Sequence, residues 1–255
     1  MELWHCKRLA ADALHRLSPR TFAGLKALLH LGTGRAFKED YLDCWTGRRD
    51  ALTPPRRFLF DGTTEYDDFR RLGDDLLRRL IGHGLQPHHQ VLEAGCGNGK
   101  NARALTRYLN TNGAYLGFDI VPHGVQWCRR HLTPRYPNFQ FQHADIRNRT
   151  YHPTGRINAS DYRFPCPGHS CDLVFLTSVF THMLPMDVEH YVREIGRVLK
   201  PGGQCFASFF LLTPAARQAL ESGRAGRAFP FEHESGVCRL ADQRWPEDAI
   251  AYDEA

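Results

Sequence analysis

The chain has 255 residues, 42% hydrophobic and 24% charged, with a formal net charge of +5. That length suits one substantial core with an appendage, and the composition excludes wholesale disorder and a collagen-like or repeat fibre. Residues 1–57 hold 11 Lys/Arg against 6 Asp/Glu, and the remainder is balanced at 22 against 22, so the basic excess is a leader on a neutral body.

The predicted elements begin with helix over 3–31. Leu3, Leu9, Ala10, Ala13, Leu14 and Leu17 follow a 3–4 spacing, Ser18-Pro19 interrupts it, and Phe22, Leu25, Leu28 and Leu29 resume it. Trp45, Pro54-Pro55 and Asp61-Gly62 mark 45–65 as an irregular connector, so 1–65 reads as a helical cap and connector. Residues 66–81 carry Phe69, Leu72, Leu76, Leu77, Leu80 and Ile81 on one side of a helix that Gly82 and Gly84 stop. From Gln90 onward the texture changes. Candidate strands at 90–94, 115–119, 139–143, 171–176 and 203–211 alternate with candidate helices at 99–110, 122–132 and 186–199. This alternation predicts an α/β, Rossmann-like fold over 66–212, a mostly parallel sheet with helices on both faces. Between the third and fourth strands, 147–170 is a long polar insert, read either as a plain surface loop or as a lid or substrate reader through Tyr151, His152, Arg156 and Tyr162. Residues 213–255, with Pro214, Gly223, Gly226, Pro230, Gly236 and Pro246, show no convincing buried strand and read as an irregular C-terminal extension.

No stretch approaches the roughly 18–20 uninterrupted apolar residues that span a bilayer, so no transmembrane segment is expected. Met1-Glu2-Leu3-Trp4-His5-Cys6-Lys7-Arg8 carries charge where a secretory signal would turn apolar, and a reducing cytoplasmic location is expected. The 8 cysteines are scattered and read as thiols. Cys166 and Cys171 form the one cluster, and no second cluster completes a set of about four ligands, so no metal site is expected.

The chemistry-bearing motif is Val91-Leu92-Glu93-Ala94-Gly95-Cys96-Gly97-Asn98-Gly99-Lys100. A strand ends in an acid, three glycines follow at alternate positions, and a helix starts at once. Glycine serves a sharp turn and a ligand lying against bare backbone, while the helix N-terminus offers unpaired N–H groups. The second strand ends in Asp119, placed to accept from a ribose diol, and the third leads to Asp145. Glu93, Asp119 and Asp145 are expected to converge on one crevice, which points to a nucleoside-type ligand. A dinucleotide fingerprint would want a small residue where Lys100 stands.

Over residues 66–212 the chain resembles the class I S-adenosylmethionine-dependent methyltransferases. Glu93 to Gly99 match the first motif, Asp119 the ribose acid and Asp145 the adenine-contacting acid. Asp172-Leu-Val-Phe-Leu-Thr-Ser178-Val-Phe-Thr-His182 matches the fourth strand and its continuation, and Tyr191 to Gly203 the passage into the fifth. The resemblance implies S-adenosyl-L-methionine as cofactor. Its tail would lie on Gly95, Cys96, Gly97, Asn98 and Gly99, with Asp119 on the ribose hydroxyls and Ile120 against the adenine. Asp145 and the N–H of Ile146 would meet the adenine edge, and Ser178 would lie in the segment facing the methyl group. It also implies a final antiparallel hairpin, which 213–255 is expected to lack.

His182 is the candidate general base, because an unperturbed imidazole titrates near neutrality, and a helix-capping or packing histidine is the other reading. A [DNS]-P-P-[YF] segment after the fourth strand is absent, and so is a glutamate pair there, which demotes base and arginine nitrogens as acceptors. The expectation is an O-directed transfer to a small metabolite or glycan hydroxyl, with a nucleic-acid partner disfavoured. A non-catalytic S-adenosylmethionine-binding protein and a nucleic-acid methyltransferase are the alternatives.

Overall fold

The computed structural model describes residues 41–59, 63, 65–222, 231 and 233–254. The predicted helix at 3–31 and most of the predicted cap lie outside the described residues.

The main sheet holds β1 (Gln90–Ala94), β2 (Ala114–Asp119), β3 (Phe139–His143), β4 (Cys171–Leu176) and β5 (Leu199–Ala207). All pairings are parallel and the order is β3-β2-β1-β4-β5. The chain reverses its direction of travel between β1 and β4, and ligands of such sheets bind beside that switch, outside the strand C-termini.

Strand alternation sorts the side chains into two buried layers. Val91 of β1 packs with Tyr115, Leu173 and Phe175, while Leu92 and Ala94 pack with Phe118, Val174 and Leu176. The first layer is covered by α1 (Tyr66–Gly82), α2 (Lys100–Leu105) and α3 (Pro122–His131). Gly73 lets α1 approach the start of α2, because a Cβ there would lie 2.6 Å from the carbonyl oxygen of Lys100. The second layer is covered by α4 (Pro185–Val198), which buries Tyr191, Ile195 and Val198 at helical spacing.

No α-helix joins β3 to β4 on this second face, where the connection holds only a 3-10 turn, Ala159–Asp161. The insert fills the gap with Tyr162 and Phe164, both buried, the latter 2% exposed. The Phe164 ring lies 4.9 Å from Phe118 and 4.9 Å from Tyr191. Its N–H donates to Glu194 at 2.7 Å, and Arg197 donates to its carbonyl at 3.1 Å and to that of Cys166 at 3.0 Å. The expectation of a lid or reader is therefore corrected for this stretch: Tyr162 and Phe164 serve as core in place of a crossover helix.

The expected strand at 203–211 is two strands. β5 ends at Ala207, and β6 (Phe210–Leu212) opens a second sheet with β7 (His233–Ser235), β8 (Cys238–Leu240) and β9 (Ile250–Asp253), in the order β6-β9-β8-β7. Between them α5 (Pro214–Glu221) is capped by Thr213, whose hydroxyl accepts from the N–H of Ala216 at 3.1 Å. The reading of 213–255 as irregular is thus corrected. The hairpin β7–β8 turns through Gly236 and Val237, and Gly236 at φ +63° suits the first central position of a two-residue hairpin turn. These strands are three or four residues long and do not extend the main sheet, which is why their pattern is faint in sequence.

Candidate active site

The loop after β1 is built by positive-φ glycines, with Gly95 at +81°, Gly97 at +54° and Gly99 at +86°. At Gly95 a Cβ would also meet Val179 Cγ2 at 2.4 Å, and at Gly99 it would meet Cys128 Sγ at 2.8 Å. The glycines therefore admit the segment after β4 and helix α3 as close neighbours of the loop. Cys96 is buried, and its N–H donates to the carbonyl of Phe118 at 3.1 Å.

Asp119 ties this loop to the end of β2. Its carboxylate accepts the N–H of Gly97 at 2.7 Å and the N–H of Val121 at 2.7 Å. A carboxylate can accept about four hydrogen bonds, so holding the loop does not by itself exhaust it. Asn98 is fully buried; its side-chain N–H donates to the carbonyl of Phe58 at 2.7 Å, while its Oδ1 is buried with no hydrogen-bond partner. The connector thus reaches the loop, a role the sequence did not signal. Asp50 adds a second tie, accepting from Arg103 of α2 at 2.7 Å.

Glu93 does not join Asp119 in the crevice. Alternation along β1 sends it to the face of Val91, where it is fully buried and accepts from Asn101 at 2.7 Å and from the Tyr115 hydroxyl. Burial pushes its carboxyl up to about 7, against the lowering effect of those two bonds. Asp145 is engaged by the insert. His152 Nε2 lies 2.9 Å from Oδ1, and Arg156 donates to Oδ2. The Arg156 and His152 hydrogen bonds hold the Asp145 carboxyl down at about 2. Ile120 packs against the second layer, and Ile146 is buried and bridges to Ile157.

Beyond β4, Ser178 is exposed and adopts φ +58°, a conformation that a residue with a Cβ holds only at a cost, and its N–H donates to the Ser208 hydroxyl at 2.8 Å. His182 follows in a short 3-10 turn, Phe180–His182. Its Nδ1 lies 2.9 Å from the carbonyl oxygen of Glu247, and the Tyr151 ring stands edge-on to it at 5.4 Å. The Phe209 ring packs on Phe180 at 4.8 Å, tilted by 30°. Strand ends thus put the glycine loop, Asp119 and Ser178 on one edge of the sheet, while Glu93 lies beneath it and His182 stands against Glu247 and Tyr151. Among the described residues no group of three metal-ligating side chains lies together, and no helix is long and apolar enough to cross a membrane.

Residues 92–207, which carry the loop, Asp119, Asp145 and His182, match the family model of a methyltransferase domain. The match spans less than half of the chain and makes this segment similar to a methyltransferase domain. Two curated relatives are similar to part of the chain. Arsenite methyltransferase of Aquipseudomonas alcaligenes is 25% identical over 129 residues, 51% of this chain and 35% of that protein. Phthiotriol/phenolphthiotriol dimycocerosates methyltransferase of Mycobacterium tuberculosis is 33% identical over 114 residues, 45% of this chain and 35% of that protein. The chain therefore spans about a third of the length of these relatives. A solved Pyrococcus horikoshii protein aligns over 74% of this chain and 71% of its own, at 19% identity and a TM-score of 0.46. The matched segment holds most of the parallel sheet and its glycine loop. The C-terminal sheet from β7 to β9 lies beyond the matched residues.

Proposed function

We propose that the chain binds S-adenosylmethionine at the C-terminal edge of the main sheet and directs its methyl group to a hydroxyl of a small molecule. The observation that carries this reading is the buried Asp119 carboxylate tied to the N–H of Gly97, a strand-end acid set against a glycine loop. The residues present fit the group. The buried Oδ1 of Asn98 is an acceptor without a donor, and the ammonium of the amino-acid tail is a donor. In this reading Gly95, Cys96, Gly97, Asn98 and Gly99 hold the tail, Asp119 the ribose, and Ile120, Asp145 and Ile146 border the adenine. Glu93 supports the loop from below through Asn101 and Tyr115.

Bound there, the cofactor supplies a methyl carbon activated by a sulfonium. The protein's part is alignment and removal of the hydroxyl proton. His182 accepts that proton. Ser178, held in its strained conformation, and the Tyr151 and Phe209 rings, both about two-fifths exposed, border the acceptor. Aromatic walls favour a small acceptor with an apolar body over a phosphate backbone. The organisation that goes with this is a cap and connector over 1–65, a cofactor-binding core over 66–212, and a C-terminal part, 213–255, on the acceptor side. The described cysteines are free thiols, which agrees with a cytoplasmic setting.

Calorimetric titration with S-adenosylmethionine and, separately, with a nicotinamide dinucleotide tests the cofactor. Binding of the first and not the second is expected, and the reverse would overturn the reading. Single-turnover transfer from methyl-labelled cofactor to a panel of phenols, aliphatic alcohols and amines tests the reaction. Label should appear in ethers, and His182→Ala should slow it roughly 100-fold with cofactor affinity retained. Labelled amines, or full turnover in the variant, would count against it.

A further inference from the structure

Polar contacts tie one short turn of the C-terminal part, Pro246–Asp248, to Arg149, Thr150 and His182, and Tyr252 to Met183. A carbonyl oxygen only accepts, so the 2.9 Å contact between His182 Nδ1 and the Glu247 carbonyl puts a proton on Nδ1. In the neutral ring the lone pair then lies on Nε2. The turn is itself anchored. The N–H of Arg149 donates to the Glu247 carboxylate at 2.5 Å, and the Thr150 hydroxyl donates to Asp248 at 2.9 Å. The Tyr252 hydroxyl of β9 donates to the carbonyl of Met183 at 2.8 Å, one residue past the imidazole.

The apolar clusters of the small sheet are Leu212, Phe231, Ala249 and Ala251, and Cys238, Leu240 and Ile250. The Tyr252 ring and Leu184 also pack against the small sheet, whereas the contacts of Glu247 and Asp248 lie outside its apolar clusters. A sheet that served stability alone would have no need to direct a backbone carbonyl, a carboxylate and a phenol at the loop ends around His182. We propose that the Pro246–Asp248 turn is a positioning element for His182, holding the ring in the Nδ1–H form, in which Nε2 is the nitrogen able to accept a proton. The C-terminal sheet is thereby a working part of the acceptor side. This rests on the reading of His182 as the group that takes the hydroxyl proton, and it adds which part of the chain prepares it.

The test needs no acceptor. Long-range 1H–15N correlation on histidine-labelled protein, recorded at about pH 8.5 where an ordinary imidazole is neutral, reports which ring nitrogen carries hydrogen. His182→Gln assigns the signal. The wild-type ring should be in the Nδ1–H form, opposite to the preference of free imidazole. Glu247→Ala/Asp248→Ala, which frees the turn from Arg149 and Thr150, should move the ratio toward Nε2–H. Glu247→Gln, whose amide oxygen still accepts from the Arg149 N–H, should preserve the wild-type ratio. A wild-type ring with its proton on Nε2 overturns the proposal whether or not the double variant folds. So does a ratio that the double variant leaves unchanged while its circular dichroism is native. Failure of the functional reading looks different. An Nδ1–H ring in a protein whose His182→Ala variant turns over normally keeps the turn as holder of the ring and removes the proton-acceptor role.

Discussion

The carboxylate of Asp119 accepts the backbone N–H of Gly97 at 2.7 Å, joining positions 22 residues apart. Its other oxygen takes the N–H of Val121 at 2.7 Å, so one buried side chain fixes both the loop after β1 and the start of α3. Asp119→Ala leaves two enclosed donors without their acceptor, at about 1–3 kcal/mol for each. We expect Asp119→Ala to lower the melting temperature by roughly 5 °C or more, and to weaken S-adenosylmethionine binding on the order of 5- to 150-fold. Asp119→Asn, which keeps one acceptor oxygen, should fall between. Thermal melts and calorimetry decide this; an alanine variant that melts with wild type means that the carboxylate does not tie the loop.

Glu93 predicts a pH signature. Its carboxyl is raised from 4.5 to about 7, chiefly by burial. Between those values the folded state binds the proton more tightly than the unfolded chain, so stability falls as pH rises from about 4.5 to about 7. The Glu93 share of that loss is on the order of 2–3 kcal/mol. Glu93→Gln cannot ionise, so its stability relative to wild type should improve from the acid to the neutral end. Urea midpoints for both proteins at the two ends read it directly. A constant gap across the window would mean that the carboxyl titrates normally.

Gly95 carries two separate constraints. Alanine there suffers φ +81° and a Cβ 2.4 Å from Val179 Cγ2. Gly95→Ala should lose about 1–3 kcal/mol by strain and overpacking. In a double-mutant cycle Val179→Ala should recover part of that loss, because the clash goes and the backbone cost remains. Full additivity would remove Val179 as the neighbour that demands glycine.

The insert yields a contrast within one loop. Phe164, 2% exposed between Phe118 and Tyr191, should cost about 3–5 kcal/mol when cut to alanine. Tyr151, 37% exposed beside His182, should cost under about 1 kcal/mol of stability. Chemical denaturation of the two variants separates the part of the insert that is core from the part that faces the site.

Much of this was legible in the chain itself. The apolar runs at 90–94, 139–143 and 171–176 coincide with β1, β3 and β4, and the second strand and the helix at 66–81 differ by one residue at an end. Long periodic segments flanked by glycine and proline carry their own boundaries. Asp119 was readable because an acid ending a second strand has a fixed place relative to a glycine loop. Glu93 was misplaced because its proximity to that loop outweighed strand parity, which puts it on the face of Val91. Tyr162 and Phe164 were hidden by proline, arginine and serine neighbours, although their spacing of two is that of an extended segment with one side buried. The C-terminal sheet was missed because three-residue strands give no period. Gly236 between Ser235 and Val237, followed by alternating Cys238-Arg239-Leu240, was the available signal.

β5 pairs with β4 on one side and, among the described residues, with no strand on the other. Such a border is an invitation to self-association, since free amide and carbonyl groups can recruit another molecule's backbone. Here Lys200 and Pro201 lead the strand, Gly202 turns at φ +80°, and the register to β4 slips between Cys171 and Leu173. A cation, a missing donor and a bulge together make that border a poor template for a zipper of like chains. A straightened, β-branched version of residues 200–203 would be expected to associate more on concentration than the wild-type chain, with the fold of each copy unchanged.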